Sequence, residues 1–178
     1  MKKNINLSHK ISVVGGAGHV GLPLSLLLSS KGFKISIIDI DIKKIKLLRK
    51  GHFPFKETNI ESLRSELKKI KFTDKISEIK NSDSIIFTAG TPIDEHLNPK
   101  FDSVLEIINQ MLPHFKNNQN LILRSTLFPG TSNLINQNLK KKLLNINLSF
   151  CPERIAQGNA LNELSILPQI ISGNNRKA

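Results

Sequence analysis

The stretch Ile11-Ser12-Val13-Val14-Gly15-Gly16-Ala17-Gly18-His19-Val20-Gly21-Leu22 decides the fold. Its apolar start reads as a buried strand, and Leu22 to Ser30 reads as a helix. Between them, Gly16, Gly18 and Gly21 make the pattern G-x-G-x-x-G. In a strand–turn–helix setting each glycine has a task. Gly16 permits the turn, Gly18 leaves room for a pyrophosphate to approach the backbone, and Gly21 lets helix and strand pack closely. The helix N-terminus offers unpaired N–H groups and a partial positive charge to phosphate oxygens. Gly16, Gly18, His19, Val20 and Gly21 are therefore candidate cofactor-binding residues.

The next strand, Lys34-Ile35-Ser36-Ile37-Ile38, ends in Asp39. An acidic residue about 20 positions beyond such a glycine turn is placed to accept hydrogen bonds from ribose hydroxyls, and it repels the extra phosphate of NADP. NAD is the expected cofactor. Lys43, Lys44 and Lys46 follow closely and soften that discrimination. Asp39 also has a plainer reading as a helix N-cap, but Asp41 suits that role better, because Ile42, Ile45 and Leu48 begin a helical period directly after it.

Farther along, apolar runs alternate with helical stretches. Strands are expected at 11–14, 34–38, 84–88, 120–124, 146–150 and 169–172, and helices at 20–30, 42–49, 60–70, 103–111 and 131–144. This alternation specifies an α/β fold, a Rossmann-type doubly wound parallel sheet with helices on both faces. Ligands of such sheets bind at the carboxyl ends of the strands. The residues there are Thr91-Pro92, then Ser125-Thr126 with Pro129-Gly130-Thr131, then Cys151-Pro152-Glu153-Arg154-Ile155. Each taken alone is ordinary turn chemistry, and Thr131 is a candidate cap for the following helix. Three polar loops at consecutive strand ends, opposite a glycine turn, favour one shared site.

Bulk properties narrow the function further. A chain of 178 residues holds one good core, and the expectation is a single NAD-binding domain over residues 1–178, with its core from about residue 10 to about residue 173. The net charge of +12 invites a nucleic-acid reading. The lysines are scattered over polar helix sides, however, and the chain has no Trp or Tyr to stack on bases. No apolar run approaches the roughly 20 residues that span a bilayer, and the N-terminus lacks the apolar stretch of a signal peptide. A single cysteine, Cys151, fits a reducing cytoplasm. No metal site, nucleic-acid partner or membrane partner is expected.

These motifs together resemble the N-terminal NAD-binding domain of the UDP-glucose/GDP-mannose dehydrogenase family. The matching pieces are Gly16 to Pro23, Asp39 to Asp41, Gly51 through Glu57, Thr91-Pro92, Ser125 to Thr131 and Pro152-Glu153-Arg154. The Cys-Pro-Glu-Arg-Ile run, followed by Gly158-Asn159-Ala160-Leu161, is similar to the branch acting on UDP-N-acetylhexosamines, the N-acetylmannosamine type. The resemblance implies oxidation of the C6 alcohol of a nucleotide sugar to a carboxylate with two NAD⁺, in polysaccharide precursor synthesis. It places Val20, Asp39, Lys44, Thr91 and Thr126 at the NAD site, Glu153 near the reacting centre and its water, and Arg154 and Ile155 at the nucleotide sugar. A carboxylate there is chemically sensible, since hydrolysis of an acyl intermediate needs a base. As a plainer reading, Glu153 and Arg154 form a surface ion pair.

The resemblance also implies something missing. The family's nucleophilic cysteine, with its lysine, asparagine and aspartate, belongs to a central helix and second half that this sequence does not contain. Cys151, before a proline at a strand end, does not match it. The expectation is a catalytically incomplete cofactor half of an enzyme that is homo-oligomeric when intact; a stand-alone, non-catalytic NAD-binding module is the alternative. His9, His52, His96 and His114 read as solvent-facing.

Overall fold

The computed structural model describes residues 8–90, 101–176 and 178. Strands β1 (Lys10–Val14), β2 (Lys34–Ile38), β3 (Lys71–Thr73), β4 (Ser84–Phe87), β5 (Asn120–Leu123), β6 (Asn147–Phe150) and β7 (Ser172–Gly173) form one sheet in the order β3-β2-β1-β4-β5-β6-β7. All neighbours pair in parallel except β6 and β7. The order reverses between β1 and β4, so the crevice for a ligand opens beside the end of β1.

Strand chemistry explains the two layers. Ile11 and Val13 of β1, with Ile35 and Ile37 of β2, point to one face. They meet helices α1 (Gly21–Ser30) and α2 (Ile42–Arg49) and the 3₁₀ segment Ile60–Lys68. Val14, Ile85, Phe87, Leu121 and Leu123 point to the other face, against α3 (Phe101–Met111) and α4 (Thr131–Lys141). Alternation with a period of two, buried on both sides, is what parallel strands covered by helices require. Helix α5 (Ala160–Ile166) joins the first layer through Leu161. Among the described residues, no helix is long and apolar enough to cross a membrane.

Several expectations need correction. The final strand lies at Ser172–Gly173 and is antiparallel, a two-residue edge rather than a sixth parallel strand. The stretch 60–70 is a 3₁₀ helix that yields to β3 at Lys71. Helix α4 stops at Lys141, because Leu143 adopts a positive φ of 56° that no helix continues through. Gly130, not Thr131, occupies its N-cap position, and no side chain caps it. The Asp41 cap is as expected: its carboxylate accepts from the N–H groups of Lys43 and Lys44, each at 3.1 Å. The Lys44 N–H above all holds that carboxyl below its ordinary value.

At the amino ends of the strands, neutral side chains form a ladder across the sheet. Asn120 Nδ2 donates to Ser84 Oγ at 3.0 Å, Asn147 Nδ2 to Asn120 Oδ1 at 3.0 Å, and Asn175 Nδ2 to Asn147 Oδ1 at 3.1 Å. His9 joins its outer end through Ser84 Oγ at 2.8 Å.

The glycine turn is the tightest point of the fold. Gly15, with φ of 76°, makes the bend that the sequence pattern assigned to Gly16. A Cβ on Gly21 would lie 2.6 Å from Gly16 Cα, 2.7 Å from Thr88 Oγ1 and 2.8 Å from Gly15 O. Replacing Gly by Ala in a helix gains up to about 1 kcal/mol of propensity, while overpacking costs about 1–3 kcal/mol. Because two of the three contacts are backbone, the clash wins. Gly21→Ala is expected to lower the urea midpoint, and an unchanged or raised midpoint would show that α1 can retreat from β1.

Glu66 makes a second testable joint between α1 and the 60–68 segment. Its buried carboxylate accepts from Ser29 Oγ and from Lys69 Nζ, both at 2.7 Å. The Lys69 ammonium, helped by the Ser29 hydroxyl, holds the carboxyl below its ordinary 4.5 against the opposing effect of burial. A carboxyl lowered by folding contributes stability above its unfolded value and loses it as the pH falls through its folded value. The stability advantage of the wild type over Glu66→Gln should therefore shrink on acidification below about pH 4.5. Urea denaturation across that range checks this; a constant difference would show that the charge contributes nothing.

Candidate functional site

A cleft of about 240 Å³ lies over the carboxyl ends of the central strands. The glycine turn brings His19 and Val20 to one wall, and Thr88, Ala89 and Gly90 follow β4. Arg124, Ser125 and Thr126 follow β5, and Glu153, Ile155 and Gln157 follow β6. Loops far apart in sequence thus meet in one cleft, and the candidate residues His19, Val20, Thr126, Glu153 and Ile155 share its lining. Thr91 lies outside the described residues.

Hydrogen bonds hold each wall. Gly15 N donates to Ile38 O at 2.9 Å, which fastens the start of the turn to the end of β2. Asp39 Oδ2 accepts from Ala17 N at 2.9 Å, and Oδ1 from Asp41 N at 3.0 Å. Asp39 is therefore bound to the turn itself, and Asp41 is the helix cap. Helix α1 begins with no side-chain cap and no acidic residue in its first turn, so its positive end is left for an external anion. On the opposite side, Thr88 Oγ1 donates to Val14 O at 2.9 Å, and Ser125 Oγ to Ala89 O at 2.6 Å.

The chemistry of the far wall centres on a residue that the sequence reading passed over. Arg124 ends the apolar run of β5, and its side chain is 9 % exposed against 7 % for Glu153. Its Nη2 donates to Glu153 Oε2, and its Nη1 reaches Cys151 Sγ and Gln169 Oε1, each at 3.2 Å. Glu153 Oε1 also accepts from the N–H of Arg154 at 2.9 Å. The ion partner of Glu153 is thus Arg124, not the Arg154 of the plainer reading as a surface pair. The Arg154 side chain turns away and donates to Pro168 O. A charged group at the end of an otherwise apolar strand was the available signal.

Two further candidates sit apart from the cleft lining. Lys44, in the first turn of α2, pairs with Asp41 at 3.7 Å with both side chains 39 % exposed, an arrangement worth little energetically. Arg154 is exposed. Of the histidines expected to face solvent, His52 is exposed, His9 and His114 are half-buried, and His96 lies outside the described residues. Among the described residues no group of His, Cys, Asp and Glu is arranged to hold a metal.

The segment from Gly51 to Asn59 connects the two walls. Phe55 stacks on His19 with ring centroids 3.9 Å apart and planes 30° apart. Two residues on, the buried Glu57 accepts from Gly158 N at 3.1 Å and from Ala160 N at 2.6 Å, which caps α5 from outside. The loop carrying Glu153 and Ile155 is thereby anchored to the same segment that supports the glycine turn.

Comparison with known proteins agrees with this architecture. The profile for the NAD binding domain of the UDP-glucose/GDP-mannose dehydrogenase family matches residues 9–178. The chain is 32 % identical over 181 aligned residues to UDP-N-acetyl-D-mannosamine dehydrogenase of Methanococcus aeolicus, covering 99 % of this chain and 40 % of that protein. It is 30 % identical over 166 residues to UDP-glucose 6-dehydrogenase of Rickettsia bellii, covering 91 % and 38 %. The crystal structure of NDP-N-acetyl-D-galactosaminuronic acid dehydrogenase from Methanosarcina mazei Go1 superposes with a TM-score of 0.86 at 26 % identity, covering 95 % of this chain and 39 % of that one. The chain spans about two fifths of the length of the curated relatives it matches. With a glycine turn at the switch point, an acid after β2 and a profile match over nearly its whole length, the chain belongs to the UDP-glucose/GDP-mannose dehydrogenase family, within its NAD-binding domain.

Proposed function

We propose that this chain supplies the cofactor site of a dehydrogenase that oxidises the C6 alcohol of a UDP-hexose or UDP-N-acetylhexosamine to a carboxylate. The observation that carries this reading is the bond from Ala17 N to Asp39 Oδ2, which joins a carboxylate to a glycine turn at the switch point of the sheet. A dinucleotide needs that combination: acceptors for ribose hydroxyls beside N–H donors for its diphosphate. Gly16, Gly18, His19, Val20 and Gly21 then face the diphosphate. Asp39 receives the ribose and disfavours an added phosphate, with Lys44 beside it. Thr91 and Thr126 complete the cofactor contacts, and residues 1–178 act as one NAD-binding domain.

NAD, when bound, supplies the hydride acceptor. The chain's own contribution at the reacting centre is Glu153, whose position is held by Arg124 and by the N–H of Arg154. As a carboxylate there it accepts a proton from water during hydrolysis of an acyl intermediate. Ile155 and Arg154 contact the nucleotide sugar. The Cys-Pro-Glu-Arg-Ile run, and the likeness to UDP-N-acetyl-D-mannosamine dehydrogenase, support an N-acetylhexosamine as the sugar. Cys151 is buried against Arg124 and takes no part as a nucleophile. Residues for a covalent step would come from outside this chain. The single cysteine supports a cytoplasmic setting.

NAD⁺ at about one hundred times its Kd is expected to raise the Tm of the 178-residue chain by about 5–10 °C. Asp39→Ala should abolish most of that shift. A thermal-shift series on both proteins checks the assignment, and an equal shift in the variant would refute the ribose role of Asp39.

A further inference from the structure

Helix α2 turns one face to the core and the other to solvent, and its outer face is not an ordinary polar one. Ile45 and Leu48 are buried. On the opposite side Ile42, Lys43, Lys46, Leu47 and the C-cap residue Lys50 follow one another at three- and four-residue spacing, which puts them on one strip. Ile42 is 52 % exposed and Leu47 is 41 % exposed, and all three lysines are exposed as well. Asp41 takes Lys44 as its ion partner and also feels the charge of Lys43. Among the described residues, no carboxylate forms an ion pair with Lys46 or Lys50. The helix packs beside β3, the edge strand of the sheet, so the strip lies at the rim of the molecule.

We propose that the outer face of α2 docks this protein onto an anionic phospholipid bilayer. Exposed aliphatic side chains interleaved with unpaired cations suit a helix that lies on a membrane. The aliphatics enter the acyl boundary, while the lysine stems stretch and keep their ammonium groups among the headgroups. Charge complementarity selects this occupant. The chain carries a net charge of +12, and a negatively charged leaflet attracts each lysine near its surface. A nucleic acid would answer the lysines but leave Ile42 and Leu47 in water, because its outer surface is phosphate. A second copy of the chain would bring a like charge and repel. Lying on a surface needs no spanning segment, so the expectation of no membrane partner, which rested on the lack of a spanning run, does not bear on this face. Ile40 is also exposed, but it adjoins Asp39 at the cofactor edge and is left to that site. None of the five residues lines the cleft, so the inference stands apart from the dinucleotide reading.

Vesicle sedimentation tests this on the 178-residue chain, with phosphatidylcholine alone and with phosphatidylglycerol added. Binding is expected only where the anionic lipid is present, and it should weaken as salt is raised. Net charge alone attracts a cationic protein to such vesicles, so two variants of equal charge are compared. Lys46→Glu with Lys50→Glu alters the strip, and Lys140→Glu with Lys142→Glu alters exposed lysines at the end of α4. Both pairs stand at a helix C-terminus, so the cost of reversal against the helix dipole is matched. The partition coefficient should fall about thirtyfold in the first variant and less than about threefold in the second. Leu47→Ser keeps every charge and should lose about fivefold. The chain has no Trp, so Leu47→Trp adds a single reporter whose emission should move to the blue on anionic vesicles. No binding to the anionic vesicles, equal losses in the two charge variants, or an unmoved Trp emission would each overturn the proposal. Binding to duplex DNA that needs Lys46 and Lys50, with none to vesicles, would overturn it too and give the face to a nucleic acid.

Discussion

The approach of α1 to β1 at Gly21 is closer than any Cβ permits, and the rest of the molecule is arranged around it. Because Gly21 sits 2.6 Å, by its absent Cβ, from Gly16 Cα, the helix starts directly over the end of the strand. Its positive end is thereby aimed into the crevice between β1 and β4. Gly16 is constrained from below, since a Cβ there would lie 2.7 Å from Val13 O and 3.0 Å from the Ile37 side chain. The same closeness brings Ala17 N to the end of β2, where Asp39 receives it. A single steric requirement thus sets the direction of the helix, the depth of the turn and the position of the acid.

On the other side of the cleft the organising force is electrostatic. A carboxylate as enclosed as Glu153 is costly unless paired, and the guanidinium of Arg124 supplies that pairing from the next strand end. The pair orders three loops at once, because Arg124 also contacts Cys151 and Gln169. Gln169 is held in this contact rather than in a strand, which is one reason the last strand begins only at Ser172.

What was legible in the sequence follows the range of the interactions. Strand β2 and helix α2 emerge with the expected bounds, and the Asp41 cap emerges with them, because their signals lie within a few residues. The shared site at the strand ends was legible too, since topology delivers it once the alternation is recognised. Strands β3 and β7 are too short for a period of two to show, and pairing with an existing edge makes them. Helix α5 was missed because its N-terminus depends on Glu57, more than one hundred residues earlier. Arg124 as partner of Glu153 is likewise invisible locally, as 29 positions separate them. The turn was placed one residue late, because Gly15 and Gly16 are adjacent glycines that pattern alone cannot rank, and only the backbone dihedral at Gly15 does.

The amide ladder across the amino ends of β4, β5 and β6 gives the sheet two unlike ends. Its asparagine rungs carry no charge, so acid and salt leave them unchanged. The cleft end carries charges instead: Asp39, Arg124 and Glu153. Strand register is thus held at one end by neutral amides, while the opposite end carries the charged side chains that surround the cleft.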